Sequence, residues 1–417
     1  MSAATPSVAL IVVAYGHAAQ LPATLDALQN LAYPAARREI VVVDNGDGSS
    51  AAVARSYAGV RVLEPGRNLG FGGGCNLGVA HSNSAIIALI NPDLQPQPNF
   101  LQALVTPLAD ETVGVAGAKL LYPDNQTIQH AGGYLQDPLL LAQHYGYGKP
   151  DRGAFDTARE VEFVTGAALA MRRSTWDALG DMDESFYPAY YEDADLCLRV
   201  RQQGLSIRYE PAAVAIHQEA AALGKGSATY HRLYHLNRLR LLFKHFPDDW
   251  LLQAWLPAEL THLRTTADDA EIAGLQAAYL HWQTVFLHGS SATATDPLGN
   301  TPAYTPDDQS ELEWTLQQVS AKRTIAPLPF RSRLPFVARL RTLWNRTATE
   351  IYLRPLIQQQ NDYNAAIAEL GLALARQRRA TDAAILCQGM LLAKTLGRTK
   401  NQEPNGRTKN KEQRTEN

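Results

Sequence analysis

The chain has 417 residues, 46% of them hydrophobic and 19% charged, with a formal net charge of −3. That length holds two domains, or one large domain with an appendage, and the near-neutral balance excludes the basic signature of a nucleic-acid-binding chain. The three cysteines, Cys75, Cys197 and Cys387, are scattered and odd in number, which argues against a metal-ligand pattern or a disulfide framework and for a reducing, cytoplasmic setting.

The first apolar run stops after about eight residues and has no basic leader, so no signal peptide is expected. No apolar run reaches the roughly 18–20 residues of a membrane span, so any membrane contact would be peripheral.

Residues 7–14 (SVALIVVA) are β-branched and apolar on both faces, the pattern of a buried parallel strand. Leu21, Leu25, Leu28 and Leu31 then predict a helix over 21–31. Residues 39–43 (EIVVV) predict a second strand, ending in the turn signal Asp44-Asn45-Gly46. A third strand is expected over 60–63, a helix over 76–81, and a fourth strand over 84–90, which runs into Asn91-Pro92-Asp93. This alternation predicts a parallel, doubly wound α/β core. Ligands of such folds sit beyond the carboxyl ends of the strands, where Tyr15, Asp44 and Asp93 fall.

From about residue 106 to 217 loops and short strands mix with one clear helix, from Glu192 to a stop at Gly204. A strand is expected over 214–217 and a basic helix over 229–246. Beyond Pro247 the texture becomes mainly helical, with a polar stretch over 289–308 and helical spacing of Ile367, Leu370 and Leu374. Residues 397–417 carry almost no apolar side chains and read as a disordered tail. The expected division is a catalytic domain over 1–247, a helical region over 248–396 and the tail.

Several segments carry candidate chemistry. Asp44, at a strand end, can accept hydrogen bonds from a base or ribose, or can serve as a turn former or helix N-cap. The run from Arg67 to Asn76 is glycine-rich enough to let backbone N–H groups approach a ligand. Its spacing fails the dinucleotide fingerprint, because Cys75 stands at the third glycine position and the run does not follow the first strand. A tight strand-to-helix connection is the alternative.

Asp93 offers an oxygen to a hard divalent cation that also touches phosphate. Glu192, Asp193 and Asp195 crowd three carboxylates at a helix N-terminus, a repulsion that a cation, substrate or shared proton relieves. His217, at a strand end, can complete a metal site with Asp93 or be structural. His231 and His235 lie four apart on the basic helix and are read as solvated or phosphate-facing.

In order along the chain, VVAYG (12–16), VVDNGDGS (42–49), NLGFGGGCNLGV (68–79), LINPDL (89–94), IQHAGG (128–133), FVTGAALAMRR (163–173), GDMDESFYPAYYEDADLCLRVRQQG (180–204) and EPAAVAIH (210–217) resemble the family 2 glycosyltransferases, and most of all their bacterial rhamnosyltransferase-like branch. The likeness covers about residues 7–247. It implies the GT-A fold, an α/β architecture with a mostly parallel twisted sheet flanked by helices, here followed by a helical C-terminal appendage.

The resemblance also implies roles. Asp44 resembles the aspartate that contacts the nucleoside base, with Ala14 and Tyr15 beside it. Asn68, Gly72, Gly73 and Asn76 fall in the loop expected to line the donor pocket. Asp93 resembles the last aspartate of the metal-binding Asp-x-Asp, whose first position is Asn91 here, one charge fewer. Glu192 and Asp193 resemble the acidic pair whose second member is the general base. His217 resembles a metal-ligating histidine. Gly16-His17 departs from relatives, which often carry asparagine after the tyrosine.

The implied activity is inverting transfer from a nucleoside-diphosphate sugar, with dTDP-rhamnose the best guess, to a hydroxyl of a glycan or lipid-linked acceptor, assisted by Mg2+ or Mn2+. The setting is cell-surface polysaccharide synthesis at the inner face of the plasma membrane. The other function class is a nucleotide-sugar-binding or scaffold protein on the same fold. The basic helix, through Arg238 and Arg240, is expected to contact an anionic acceptor or membrane surface. The helical region is expected to serve acceptor choice, self-association or docking of partner enzymes, and not donor chemistry.

Overall fold

A computed structural model describes residues 5–218, 226–288 and 377–394, together with positions 358, 362 and 365. The expectations for the polar stretch over 289–308, for Ile367, Leu370 and Leu374, and for the tail over 397–417 lie outside the described residues.

Strands β1 (Val8–Ala14), β2 (Arg38–Asp44), β3 (Val60–Leu63) and β4 (Ile86–Ile90) pair in parallel in the order β3-β2-β1-β4. They close to the predicted bounds because their apolar residues have two faces to fill. Along β1, Val8, Leu10 and Val12 join one core cluster, while Ala9, Ile11 and Val13 join another on the opposite side. That is the alternation of a strand covered on both faces. Helices α1 (Leu21–Gln29), α2 (Ser49–Ala54) and α3 (Gly70–Ala80) make the crossovers.

Helix α3 takes up most of the glycine-rich run, as in the tight strand-to-helix alternative, while Asn68 and Gly70 at its start line a cleft at the edge of the sheet. Gly74 and Gly78 within it are packing residues. A Cβ at Gly74 would lie 2.5 Å from Val13 Cγ1, and one at Gly78 would lie 2.5 Å from Ile11 Cγ2. The helix therefore lies closer on β1 than any side chain allows.

After β4 come β5 (Leu94–Pro96), helix α4 (Phe100–Val105), β6 (Val113–Leu121), β7 (Ile128–His130), the hairpin β8 (Gly133–Gln136) and β9 (Leu141–His144), and the short β10 (Arg159–Glu160). Strand β11 (Ala168–Arg172) inserts antiparallel between β4 and β6, so the core is mixed and not wholly parallel. Helices α5 (Arg173–Leu179) and α6 (Glu192–Gln202) follow, and Gly204 beyond α6 is left-handed at φ +78° as its C′ role requires. Strand β12 (Ser206–His217) is longer than predicted. It runs parallel to β6 across a register shift between Glu210 and Val214, around Pro211.

Helix α7 (Ala228–His245) starts at Ser227, whose hydroxyl accepts from Tyr230 N at 3.1 Å. Helix α8 (Asp248–Trp250) passes through a π-helical turn (Leu251–Trp255) into α9 (Leu256–Thr265), and α10 (Asp269–His288) follows. The π turn precedes Pro257, whose ring and missing N–H disturb the regular ladder there. A further helical segment covers residues 377–394. Leu236, Leu239, Trp255, Tyr279 and Cys387 share one buried cluster with Phe186, Tyr191 and Ala194 of the core domain. Packing thus runs across residue 247, where the texture of the sequence changes. Among the described residues no helix is long and apolar enough to cross a membrane.

Candidate active site

The parallel strands end on one edge of the sheet, and a cleft of about 420 Å³ opens there, within the range of small-molecule sites. Its first wall comes from the ends of β1 and β2 and the start of α3, with Tyr15, Asn45, Asn68, Gly70 and Phe71 facing the cavity. Asn45, which the sequence did not single out, ties this wall together. Its Nδ2 donates to Gly70 O at 2.7 Å and its Oδ1 accepts from Leu69 N at 3.2 Å.

Several expected donor contacts lie elsewhere. Asp44 is buried behind the wall, its Oδ1 accepting from Gly46 N at 2.8 Å and its Oδ2 from Ala51 N at 2.7 Å. Asp44 thus shapes the turn after β2 and accepts from the third residue of α2, whose N-cap is Gly48. Ala14 is buried in the strand, and its carbonyl accepts from Asn45 N at 2.8 Å. Gly72 and Gly73 pack toward Met182, Asp183 and Glu184. Asn76 pairs through both side-chain atoms with Met182, at 3.0 Å each. These four and Asp44 do not line the cleft. Helix formation from Gly70 turns the side-chain positions of 72, 73 and 76 away from it.

The floor joins residues far apart in sequence. Strand β5 pairs with β12 so that His217 stands opposite Leu94, which brings it to Asp93. His217 Nε2 lies 3.1 Å from Asp93 Oδ1 and 3.2 Å from Asn91 Nδ2. Its Nδ1 is 2.6 Å from Gln129 Oε1. With Gln129 accepting the Nδ1 proton, Nε2 turns its lone pair toward the Asp93 carboxylate. Two acceptors that close are reconciled by a shared proton or by a cation, so this pair fits a divalent ion. A carboxylate and an imidazole supply two ligands, and substrate phosphates commonly supply others. Among the described residues no group of three or more His, Cys, Asp or Glu side chains is placed to hold a metal.

Gln129 and the adjoining histidines were also not foreseen. His130 Nδ1 and His144 Nδ1 are 2.8 Å apart on the cleft wall. Burial, with His144 and His217 nearby, pushes the His130 pKa well below the ordinary imidazole value.

The far wall is the start of α6. Tyr190 and Tyr191 are both left-handed, at φ +79° and +69°, an uncommon and costly conformation for tyrosine. That turn delivers Glu192 and Asp193 to the cleft. Asp193 Oδ2 accepts from Gly166 N at 2.9 Å and Oδ1 from Ala194 N at 2.8 Å. Burial raises its pKa in spite of these donors. Glu192 is buried, its Oε2 has no hydrogen-bond partner, and burial, with the Asp193 charge added, raises its pKa well above the ordinary value. Asp195 is different. It is fully buried, but His245 and Lys244, each 2.7 Å away, and Arg199 at 2.8 Å outweigh burial and hold its pKa down. It braces α6 to α7.

A test of this electrostatic picture follows from linkage. An unfolded chain releases the glutamate proton near pH 4.3, while the folded one holds the Glu192 proton to higher pH. The folded state binds more protons across that window, so stability is full below it and falls as pH rises through it. Glu192→Gln should therefore raise the thermal midpoint at neutral pH and match wild type near pH 4. A variant less stable at neutral pH than the parent would contradict the neutral, buried state of Glu192.

The basic helix does not present a basic face. Arg238 is fully buried and forks Glu259 of α9, and His235 is buried beside it, its pKa pushed down to about 4 by burial. Arg240 is half-buried, its guanidinium 5.0 Å from the Trp282 ring.

Comparison with known proteins identifies the family. The family described as glycosyltransferase like family 2 matches residues 6–232. The chain is 32% identical over 238 residues to the uncharacterized protein y4gI of Sinorhizobium fredii, covering 53% of this chain and 25% of that protein. It is 28% identical over 223 residues to the N-acetylglucosaminyl-diphospho-decaprenol L-rhamnosyltransferase of Mycobacterium tuberculosis, covering 47% of this chain and 71% of that one. A solved mannosyltransferase of Pyrobaculum calidifontis, in complex with GDP-Man and Mn2+, covers 95% of this chain and 88% of its own at 15% identity and a TM-score of 0.44. The family match spans more than half of the chain and contains every residue that lines the cleft except Tyr234; the chain belongs to glycosyltransferase-like family 2.

Proposed function

We propose that this protein is an inverting glycosyltransferase that moves a sugar from a nucleoside diphosphate to an acceptor hydroxyl. One observation carries the reading: a carboxylate of raised basicity, Asp193, and an Asp93–His217 pair suited to a cation share one cleft at the sheet edge. Asp193 takes the proton of the acceptor hydroxyl. The freed oxygen attacks the anomeric carbon, and the bond from that carbon to the diphosphate oxygen breaks, the electron pair leaving with the diphosphate. Gly166 N and Ala194 N orient the base. Asp93 and His217 would hold the divalent cation, with Gln129 fixing the imidazole ring. That ion, Mg2+ or Mn2+, would supply positive charge to stabilise the departing diphosphate.

The relative named as an N-acetylglucosaminyl-diphospho-decaprenol L-rhamnosyltransferase supports a rhamnosyl donor and a lipid-linked sugar acceptor; the proposed donor is dTDP-rhamnose, and the proposed setting is cell-surface polysaccharide synthesis at the cytoplasmic face. A panel of nucleotide sugars, each assayed for divalent-dependent release of nucleoside diphosphate, tests this. Release from dTDP-rhamnose above all others is expected. Nucleotide binding without turnover of any donor would favour the scaffold reading.

Asp93→Ala is expected to reduce activity, to weaken divalent dependence and to weaken Mn2+ binding measured directly by calorimetry with nucleoside diphosphate present. His217→Ala should do so less, because water replaces one nitrogen. Metal-independent turnover in the wild type would remove both assignments.

A further inference from the structure

One half of the cleft has no part in the chemistry above. It is lined by tyrosines drawn from two elements. Tyr190 and Tyr191 come from the strained turn before α6, and Tyr230 and Tyr234 from one face of α7. The Tyr230 and Tyr234 rings stack, their centroids 5.8 Å apart at 23°, and Tyr190 stands edge-on to Tyr230 at 5.3 Å. Tyr230 and Tyr234 are half-buried, and both line the cavity.

The shelf is anchored from behind. Tyr191 Oη donates to Leu140 O at 2.9 Å, and Tyr234 Oη accepts from Ala142 N at 3.0 Å. Asn237 Nδ2 donates to Phe186 O at 2.8 Å and Ala189 O at 2.9 Å, tying the turn that carries Tyr190 to α7. One turn beyond Tyr234 on the same side of α7, Arg238 is locked into Glu259 of α9 and donates to Leu139 O, while Trp282 Nε1 of α10 donates to Leu236 O at 3.0 Å. Helices α9 and α10 thus fix which face of α7 looks into the cleft. That face carries aromatic rings, while Arg238 and Lys244 are spent on Glu259, Asp183 and Asp195.

We infer that the acceptor presents a pyranose ring that packs on the shelf of Tyr190, Tyr230 and Tyr234, and that the helices after residue 248 hold this shelf in place. The chemistry is the match between the polarised C–H face of a sugar and the negative face of a tyrosine ring. The shelf adjoins Glu192 and Asp193, so a ring stacked there can offer a hydroxyl to the base. The inference rests on the transferase reading for its reaction, but the shelf can be tested without turnover.

The test uses the full chain as wild type, Tyr230→Phe and Tyr230→Leu. Methyl glycosides of rhamnose, glucose and N-acetylglucosamine are probed by saturation-transfer NMR, with dTDP affinity measured by calorimetry on the same samples. A polyprenyl-diphosphate-linked sugar and a polyprenyl phosphate without sugar form the lipid arm. Wild type and Tyr230→Phe should bind at least one glycoside, free or lipid-linked, and Tyr230→Leu should lose about tenfold in affinity, the scale of a stacking contact. Affinity for dTDP should be unchanged. Glycoside binding that survives Tyr230→Leu would overturn the shelf, as would Tyr230-dependent binding of the sugar-free lipid alone. Tyr230-dependent glycoside binding by a protein that binds no nucleoside diphosphate would overturn the transferase reading and leave the shelf standing.

Discussion

Asp193→Asn is expected to lower turnover by about 10²–10⁴-fold, the contribution of a positioned general base, while donor affinity stays within about twofold. The substitution keeps the shape of the side chain and removes the proton acceptor. It also places an amide NH₂ where a carboxylate oxygen accepts from Gly166 N or Ala194 N, so one of those two hydrogen bonds is lost. That local cost is about 1–3 kcal/mol, enough to require that folding be verified by the thermal midpoint before rates are compared.

The pH profile separates Asp193 from its neighbour. Burial raises both carboxyls, and Glu192 further, so Asp193 ionises at lower pH than Glu192. Turnover in the wild type should fall as pH drops through the raised Asp193 value, above the ordinary aspartate range. Glu192→Gln mimics the protonated form and should leave that acid limb in place with most of the turnover. If Glu192→Gln were the variant that lost turnover and Asp193→Asn the one that kept it, the two roles would be exchanged.

What the sequence made legible and what it hid follow from where each residue finds its partner. The strands up to β4 were readable because two-sided burial writes itself as an unbroken β-branched run. Strand β11 was not readable. Its sequence, ALAMR, is short and alanine-rich, and its place depends on pairing with β4 and β6, many residues earlier. Asp93, Asp193 and His217 stood out because acids and a histidine at element ends are visible locally.

Gln129 and Asn45 were passed over, since a lone amide means nothing until its partner, 88 residues away in one case, is in view. Glycine has two uses, and only the nearness of Val13 and Ile11 tells the close packing of Gly74 and Gly78 from ligand approach. The same blindness applied to α7. A helix with many basic residues and no acid reads as a cationic face, but its acids lie on α9 and at Asp183 and Asp195.

Arg238→Met is the strongest test of that correction. Were Arg238 on a solvated face, the change would shift the thermal midpoint little and would weaken binding to anionic surfaces in a salt-dependent way. In the fold it has no solvent exposure, and it donates through Nη1 to Glu259 Oε2 at 2.9 Å and to Leu139 O at 2.7 Å. Glu259 is equally buried, and against the pull of burial Arg238 holds its pKa below the ordinary value, with help from the Tyr279 hydroxyl.

Removing the guanidinium strands a carboxyl in an apolar layer, a loss of about 3–5 kcal/mol. For a unit of this size that lowers the midpoint on the order of 10 °C. Replacing both members, Arg238→Met with Glu259→Met, removes the stranded group and should recover most of the loss, because a well-packed apolar pair commonly equals a buried ion pair. The single variant should also weaken glycoside binding at the Tyr230 shelf, since Arg238 anchors both α7 and Leu139 beside it, and the double variant should restore only what α7 packing supplies. A midpoint unchanged in Arg238→Met, with salt-dependent loss of vesicle binding, would return α7 to the membrane surface and detach the C-terminal helices from the site.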